Sequence, residues 1–173
     1  MWVLDRFAQP EDAAPLAGSH ALPTPATHRP RRLLLVEDSV ADARLFQHRL
    51  RDCDPDATLS VVRDGASAMD TLDQIIEGTA PSPDILVLDL SLPVLKGWSV
   101  LRYVKRSPLL RFIPIIVLSN SKTPRDVERA YAEGASSFVH KGRDLDAFFR
   151  AVDAIHAYWC GMVDLPQDTG TRH

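Results

Sequence analysis

Apolar residues in this chain cluster in short runs, and each run is followed by a polar or charged residue. Runs of about 4–8 residues bounded by turn-forming residues are typical of strands buried on both faces, as in a parallel sheet. We therefore predict five strands, at Leu33–Val36, Thr58–Val62, Ile85–Leu88, Ile115–Leu118 and Ser137–His140. The third run lies between two prolines and ends on Asp89, which places this aspartate at the carboxyl end of a central strand.

Between these runs, apolar residues recur at steps of three and four, which is the spacing of an amphipathic helix. The first helix starts at Ser39 with Asp42 three residues later, in the position of a capping box. Four further helices follow the later strands, and their signals are Met69, Leu72 and Ile76 before Gly78, the segment from Gly97 to Pro108, the pair Thr123–Pro124, and the stretch from Asp144 to Cys160.

Strands and helices therefore alternate as (βα)5, which predicts a doubly wound α/β fold with a parallel sheet and helices on both faces. Five-stranded members of this flavodoxin-like class most often have the strand order 2-1-3-4-5. The first and third strands are then neighbours, about 4.8 Å apart. Because parallel strands end at the same edge, Glu37 and Asp38 after the first strand should meet Asp89 after the third.

The flanking segments differ from this alternating region. Residues 1–30 hold five prolines and no periodic pattern, so we expect a mostly flexible arm. One domain is expected over residues 31–160, followed by a tail at 161–173 that leaves no room for a DNA-binding domain.

Composition excludes several classes of function. A formal charge of −3 and a pI near 6.0 argue against nucleic acid as the main partner. No stretch approaches the roughly 18 apolar residues of a membrane span, and the first residues lack the pattern of a signal peptide. Cys53 and Cys160 have no metal-ligand spacing. We expect a soluble, reduced, cytoplasmic protein that binds neither nucleic acid nor membrane.

The three carboxylates that meet at one edge of the sheet need a compensating charge. Each pair at ~4 Å would repel by about 4 kcal/mol at an effective dielectric of ~20. Glu37, Asp38 and Asp89 offer only oxygen ligands and leave room for water, a set that suits a small hard ion such as Mg²⁺. The alternative is that Glu37 and Asp38 cap the first helix or are simply solvated.

Two further polar residues end strands at the same edge and favour the metal interpretation. Ser119 follows the fourth strand and Lys141 the fifth, so a hydroxyl and an ammonium would face the carboxylates. This combination predicts a phosphoryl site that supplies a cation, hydrogen-bond donors and an oxygen nucleophile. An aspartyl phosphatase of the dehalogenase type would need a second aspartate where Ser91 stands. An FMN carrier is disfavoured because the acidic pair after the first strand would repel its phosphate.

The segments LLLVEDS, LVLDLSLP, IIVLSNS and SSFVHK stand in the order and spacing of bacterial response-regulator receiver domains. The chain resembles this CheY-like family over about residues 31–159. The resemblance implies that Asp89 accepts a phosphoryl group from a phosphohistidine on a histidine kinase. It also implies that Mg²⁺, or Mn²⁺ in its place, is held directly by Asp38 and Asp89, through a water by Glu37, and by the backbone carbonyl of Ser91.

The same resemblance assigns roles to three more residues. Ser119 would contact the phosphoryl oxygens, the Lys141 ammonium would pair with them, and Phe138 would be the aromatic switch that responds to Ser119. The protein would then be a stand-alone signalling protein rather than an enzyme, or a phosphoryl shuttle in a longer relay. A degenerate receiver that only binds other proteins would not need this complete set.

Looser patterns narrow the resemblance, and two positions depart from it. The segments EDSVADARL, SPLLRFIPIIVLSNS and AYWCGMVDLP look like those of small regulators that serve bacterial phytochrome kinases, so we expect such a kinase as the partner. Lys96 stands where the family commonly has an acidic residue, and Gly142 follows Lys141 where proline is usual. Because a non-proline cis bond costs roughly 3–4 kcal/mol, we expect a trans peptide bond before Gly142.

The last predicted helix carries more aromatic residues than one buried stripe can hold. The inward stripe would consist of Leu145, Phe148, Val152, Ile155 and Trp159. The partner surface would consist of the residues off this stripe, Phe149, His156, Tyr158 and Cys160. Exposed aromatic patches tend to bind partners, so we expect a homodimer through this surface. The alternative is that residues 161–166 fold back over it within one chain.

Overall fold

All five predicted strands and all five helices form in the computed structural model, which describes residues 30–93, 96–121 and 123–166. The strands are β1 Arg32–Val36, β2 Thr58–Val62, β3 Ile85–Leu88, β4 Ile115–Ser119 and β5 Ser137–His140. The helices are α1 Val40–Cys53, α2 Gly65–Ile76, α3 Gly97–Arg106, α4 Pro124–Ala132 and α5 Leu145–Ile155. Almost all of the predicted arm, residues 1–29, and the end of the predicted tail, residues 167–173, lie outside the described residues.

The strands form one parallel sheet in the order β2-β1-β3-β4-β5, which confirms the predicted topology. The register aligns the carboxyl ends of the strands: Val36 in β1 lies opposite Leu88 in β3, and Ser119 in β4 lies opposite His140 in β5. The residues that follow the strands therefore share one edge of the sheet.

Successive side chains of the inner strands point to opposite faces, and helices cover both faces. Leu34 and Val36 pack with residues of α2 and α3 on one face, whereas Leu33 and Leu35 pack with residues of α1 and α5 on the other. This two-sided burial explains why the inner strands are continuous apolar runs rather than alternating ones. Within the described ranges, none of the helices has the length and apolar character needed to cross a membrane.

The last helix reaches Cys160 as predicted, but its final turn is not α-helical. Asp144 is its N-cap, accepting a hydrogen bond from the Ala147 N–H at 2.7 Å. The α-helix stops at Ile155 and continues as a π-helical turn over His156–Cys160. A π turn holds more residues than an α turn, so it rotates the side chains that follow it.

This rotation corrects part of the predicted partner surface. Cys160 is only 7% exposed and belongs to the core on the α1 and α5 face, so its predicted exposure is wrong. Burial also raises the pKa of its thiol to about 11. Leu145, predicted to face inward, is 50% exposed at the first turn of α5, and Ala151 is buried instead.

The beginning of the predicted tail folds back onto the domain. This agrees with the alternative prediction that residues 161–166 pack against the last helix within one chain. Leu165 is buried and Val163 half-buried, and both pack in the same core as Cys160. The Arg31 guanidinium donates to the carbonyl of Val163 at 3.3 Å. The packed unit therefore extends to at least residue 165, beyond the predicted boundary at residue 160.

The loop after β5 explains why glycine follows the lysine. Gly142 has a φ of +88°, and a Cβ there would lie 2.4 Å from the Cβ of Ala147. A side chain at this position would therefore be strained and would also collide with α5. The Lys141–Gly142 peptide bond is trans, as predicted.

Candidate functional site

Asp89 lies directly after β3 and is 4% exposed. Its Oδ1 accepts a hydrogen bond from the Ser91 N–H at 2.8 Å, and its Oδ2 lies 2.6 Å from the Lys141 ammonium. The backbone N–H of Asp89 donates to Val36 at the end of β1, which ties the carboxylate to the neighbouring strand. Both carboxylate oxygens are thus held in place by the loop after β3 and by the residue after β5.

The space around Asp89 depends on a close backbone approach by α3. Gly97 is the first residue of α3, and a Cβ there would lie 2.3 Å from the carbonyl oxygen of Asp89 and 2.7 Å from the Cα of Leu90. Real Cβ atoms do not come this close to backbone atoms, so only glycine allows α3 to begin here.

The Lys141 ammonium is the centre of a buried ion-pair network. It lies 2.6 Å from Glu37 Oε2, 2.6 Å from Asp89 Oδ2 and 2.8 Å from Asp42 Oδ2. The lysine is 3% exposed, and Glu37 is 1% exposed. One ammonium therefore partly neutralises three carboxylates, and the group keeps a net negative charge if all three are ionised.

The predicted carboxylate cluster forms and could hold a divalent cation. Among the described residues, Glu37, Asp38 and Asp89 offer carboxylate oxygens that all lie within 4.8 Å of one another. Asp38 is exposed, whereas the other two are buried, so the cluster opens to solvent on one side. An oxygen-only donor set with an open side fits Mg²⁺ or Mn²⁺, which keep some water ligands.

Asp42 has a role in the site that the sequence pattern did not reveal. As predicted, Ser39 caps α1, with its hydroxyl accepting the Asp42 N–H at 3.2 Å. The second half of the predicted capping box is wrong, because the Ser39 N–H donates to Glu37 Oε1 at 3.1 Å instead. The Asp42 carboxylate turns to Lys141, since a bond between two charged groups is stronger than one to a neutral amide.

Arg63 also contacts the acidic loop, and no sequence signal marked it. Its guanidinium donates to the backbone carbonyl of Glu37 at 3.1 Å and to that of Asp38. These bonds connect the loop after β1 to the end of β2. The exposed guanidinium thereby fixes the backbone that carries two of the clustered carboxylates.

The other predicted site residues lie nearby with partners of their own. Ser119 is fully buried at the end of β4; its hydroxyl accepts the Ser121 N–H at 3.2 Å, and its carbonyl accepts the Lys141 N–H. Phe138 in β5 is half-buried, its ring lies 5.3 Å from that of His140 in an edge contact, and its N–H donates to the Tyr131 hydroxyl.

The electrostatics of the cluster favour one bound proton. Burial raises the pKa of Glu37 from 4.5 to about 7, although the Lys141 ammonium acts in the opposite direction. Burial lowers the pKa of Lys141, but its bonds to Asp42, Asp89 and Glu37 outweigh this effect and raise that pKa above its ordinary value. Lys141 therefore stays protonated at neutral pH, and the raised pKa of Glu37 lies in the neutral range.

Known proteins are similar in sequence to this chain over almost the whole domain. The sequence profile of the response regulator receiver domain family matches residues 33–153. Response regulator Rcp1 of Synechocystis sp. is 39% identical over 138 residues, which cover 79% of this chain and 94% of that protein.

Two solved structures are similar to this one throughout the domain. The crystal structure of the Mn²⁺-bound form of response regulator Rcp1 has a TM-score of 0.75 at 38% identity, and covers 80% of this chain and 100% of that one. The crystal structure of the phosphorylated cyanobacterial phytochrome response regulator RcpA has a TM-score of 0.75 at 35% identity. The match covers 80% of this chain and 99% of that one. One of these proteins thus carries a divalent cation, and the other is phosphorylated.

Replacing Glu37 by Gln should change how the stability of the metal-free protein depends on pH. Folding raises the pKa of Glu37 from 4.5 to about 7, so the folded state binds a proton that the unfolded state releases. As the pH rises from 4.5 to about 7, the free energy of unfolding of the wild type should therefore lose the contribution of this proton, about 3 kcal/mol. Glu37→Gln has no proton to release and should not show this loss. Denaturant unfolding in a chelator at about pH 4 and pH 8 measures the difference.

The exposed Glu77→Gln variant is the matched control, because it removes a carboxylate of the same type far from the cluster. Its free energy of unfolding should differ from that of the wild type by a similar amount at both pH values. If Glu37→Gln behaves in the same way as this control, Glu37 does not carry the proton.

Proposed function

The chain belongs to the response regulator receiver domain family, and we propose from this premise that Asp89 accepts a phosphoryl group from the phosphohistidine of a histidine kinase. The observation that carries the proposal is the pairing of Asp89 Oδ2 with the buried Lys141 ammonium at 2.6 Å, beside an open carboxylate cluster. A nucleophilic carboxylate, a cation and a metal-binding acidic set are the parts that phosphoryl transfer to oxygen requires.

In the proposed reaction, an oxygen of Asp89 attacks the phosphorus of the donor. An O–P bond forms, the N–P bond of phosphohistidine breaks, and its electron pair returns to the imidazole ring. The Ser91 N–H holds Oδ1, which fixes the orientation of the carboxylate. Lys141 would share its positive charge with the incoming phosphoryl oxygens.

We propose that Asp38 and Asp89 are direct ligands of Mg²⁺, or of Mn²⁺ in its place, with the Ser91 carbonyl as a further ligand and Glu37 holding a metal-bound water. When bound, the ion neutralises carboxylate and phosphoryl charge together. The separation of carboxylate oxygens supports this ligand set. The Mn²⁺-bound state of the similar protein Rcp1 supports it too.

The proposed phosphodonor is a phytochrome-type histidine kinase. This part of the proposal is supported by the likeness to RcpA, which is a phytochrome response regulator 35% identical to this chain. In such a pathway the protein transmits a signal through its phosphorylation state and does not turn over a substrate of its own.

Replacing Asp89 by Asn should abolish phosphorylation, because the amide is not a nucleophile at phosphorus. The wild type, incubated with acetyl phosphate and Mg²⁺, should gain one phosphoryl group, detected by intact mass. The Asp70→Asn variant, which changes an exposed carboxylate on α2, is the control and should label like the wild type. Labelling of Asp89→Asn at the wild-type rate would exclude Asp89 as the acceptor.

We further propose that Ser119 and Phe138 form the switch that reports phosphorylation. The Ser119 hydroxyl is held by the Ser121 N–H, and it would leave this partner to bind a phosphoryl oxygen. Phe138 lies on the adjacent strand, with a half-buried ring. The displacement of Ser119 would give this ring room to turn inward. Such a change biases two packing states by one ligand, as a switch requires.

The switch can be followed with fluorine-labelled phenylalanine. Beryllofluoride with Mg²⁺, a mimic of the phosphoryl group, should shift the Phe138 resonance in the wild type but not in Ser119→Ala, which has no hydroxyl to move. The resonance of Phe112, which is exposed at the opposite edge of the sheet, should stay in place in both proteins. An equal shift of Phe138 in both proteins would show that Ser119 does not drive it.

We also propose a homodimer through the remaining residues of the predicted surface, Phe149, His156 and Tyr158. Tyr158 is 51% exposed. All three have contacts within the chain: the Arg49 guanidinium lies 5.6 Å from the Phe149 ring centre, His156 lies 3.4 Å from Asp54, and the Tyr158 ring packs edge-on against Trp159 at 5.2 Å. Phe149 and His156, however, are half-buried, whereas Tyr158 is exposed. Tyr158 is therefore the residue of this surface most available to a second copy.

Placing a charge at Tyr158 should separate the proposed dimer. Tyr158→Glu should be monomeric by light scattering under conditions where the wild type is dimeric, because a carboxylate buried against its own copy is repelled. Phe112→Glu changes an equally exposed aromatic residue at the amino-terminal edge of the sheet and should remain dimeric. A wild type that stays monomeric at high concentration, with or without phosphorylation, would rule out the dimer.

A further inference from the structure

The Lys141 ammonium donates hydrogen bonds to Asp42 and Asp89 and forms an ion pair with Glu37 at 2.6 Å, so three carboxylates surround its three hydrogens. The partners come from three different segments: Glu37 follows β1, Asp42 lies in the first turn of α1, and Asp89 follows β3. The three carboxylate oxygens all lie within 2.8 Å of the ammonium nitrogen, which leaves no room for a fourth acceptor at the same distance. A phosphoryl oxygen can therefore bind Lys141 only if one of the three carboxylates gives up its contact.

The three carboxylates are not equivalent in this exchange. Glu37 and Asp89 belong to the carboxylate cluster that fits a divalent cation, whereas Asp42 is outside that cluster among the described residues. A cation bound there would compete with Lys141 for Glu37 and Asp89, and a phosphoryl group would take up an oxygen of Asp89. Asp42 faces neither competitor.

The position of Asp42 is also fixed independently of the cluster. Its backbone N–H is bound by the Ser39 hydroxyl at the N-cap of α1, so its carboxylate projects from a regular helical turn. Its side chain is 27% exposed, compared with 4% for Lys141. It also lines a cleft of about 360 Å³ that adjoins Lys141 and Gly142. Asp42 thus approaches the ammonium from the side of α1, and Lys141 is its one charged partner among the residues that the structure describes.

We propose that Asp42 is a positioning residue that holds the Lys141 ammonium beside Asp89 while the phosphoryl group and the cation occupy the other carboxylates. This inference rests on the proposed function of Asp89. Without Asp42, Lys141 keeps its metal-free position through Glu37 and Asp89, but loses its remaining carboxylate anchor when those two are engaged. The effect of removing Asp42 is therefore largest in the phosphorylated state and small in the resting state.

The test compares Asp42→Ala and Asp42→Asn with the wild type in the whole 173-residue chain. Asp42→Ala should phosphorylate about tenfold more slowly with acetyl phosphate and bind beryllofluoride about tenfold more weakly at saturating Mg²⁺. Asp42→Asn should lose only about threefold, because its amide oxygen still accepts one hydrogen bond from the ammonium. The affinity for Mg²⁺ alone should change by less than about threefold in both variants, since Asp42 is not in the cluster.

Asp52→Ala is the matched control, because it removes an exposed aspartate from the same helix. It should phosphorylate and bind beryllofluoride like the wild type. A merely structural role of Asp42 would lower the melting temperature without weakening beryllofluoride binding to the folded protein, and that result would overturn the inference.

The remaining outcomes separate this inference from the proposed function. If the wild type phosphorylates in the presence of Mg²⁺ and Asp42→Ala matches it in both rate and beryllofluoride affinity, the inference alone is wrong. If the wild type does not phosphorylate, or if Asp89→Asn does so normally, the proposed function fails and the inference fails with it.

Discussion

The site depends on the contact between the buried Lys141 ammonium and three carboxylates. Glu37 follows β1, Asp42 lies in the first turn of α1, and Asp89 follows β3. Lys141 follows β5 and Asp89 follows β3, and β4 lies between these strands in the sheet. The lysine side chain therefore reaches across the end of β4 to bind Asp89 at 2.6 Å. Without this cation, the buried carboxylates of Glu37 and Asp89 would lie close together without a charged side-chain partner among the described residues, because Arg63 binds only the backbone carbonyls of the acidic loop.

This interaction requires the backbone to approach closely on both sides. Gly97 lets α3 begin against the carbonyl of Asp89, and Gly142 lets the loop after Lys141 turn beneath Ala147. The inner strands are buried on both faces by helices, which leaves the carboxyl edge of the sheet as the place where charged side chains can meet. The fold thus supplies rigid positions, and the charged residues at this edge supply the chemistry.

Much of this arrangement could be predicted from the sequence because it follows from local pattern and topology. Apolar runs located the five strands, and parallel order then brought Glu37, Asp38 and Asp89 together. Asp42 was misassigned because a local rule for helix caps cannot see an ammonium that lies 99 residues away in the chain. Arg63 was missed because its partners are backbone carbonyls, and no sequence pattern marks such a contact.

The prediction of which residues on the last helix face the core was partly wrong for a different reason. Periodic analysis assumes a constant number of residues per turn, and the π-helical turn after Ile155 breaks that assumption. Regular α-helical spacing predicted that Trp159 faces the core. In the structure Cys160 is buried there and Trp159 is only half-buried. Residues 161–165 complete that core by folding back, so the exposed aromatic surface is smaller than the sequence suggested.

The central claim is that the carboxylate bound to Lys141 is the one that becomes phosphorylated. Borohydride reduces an acyl phosphate to an alcohol, so trapping the phosphorylated protein and sequencing its peptides identifies the modified residue directly. The account predicts conversion of Asp89 to homoserine, in a reaction that requires a divalent cation. Modification of Glu37, Asp38 or Asp42 in place of Asp89, or equal modification in excess chelator, would contradict it.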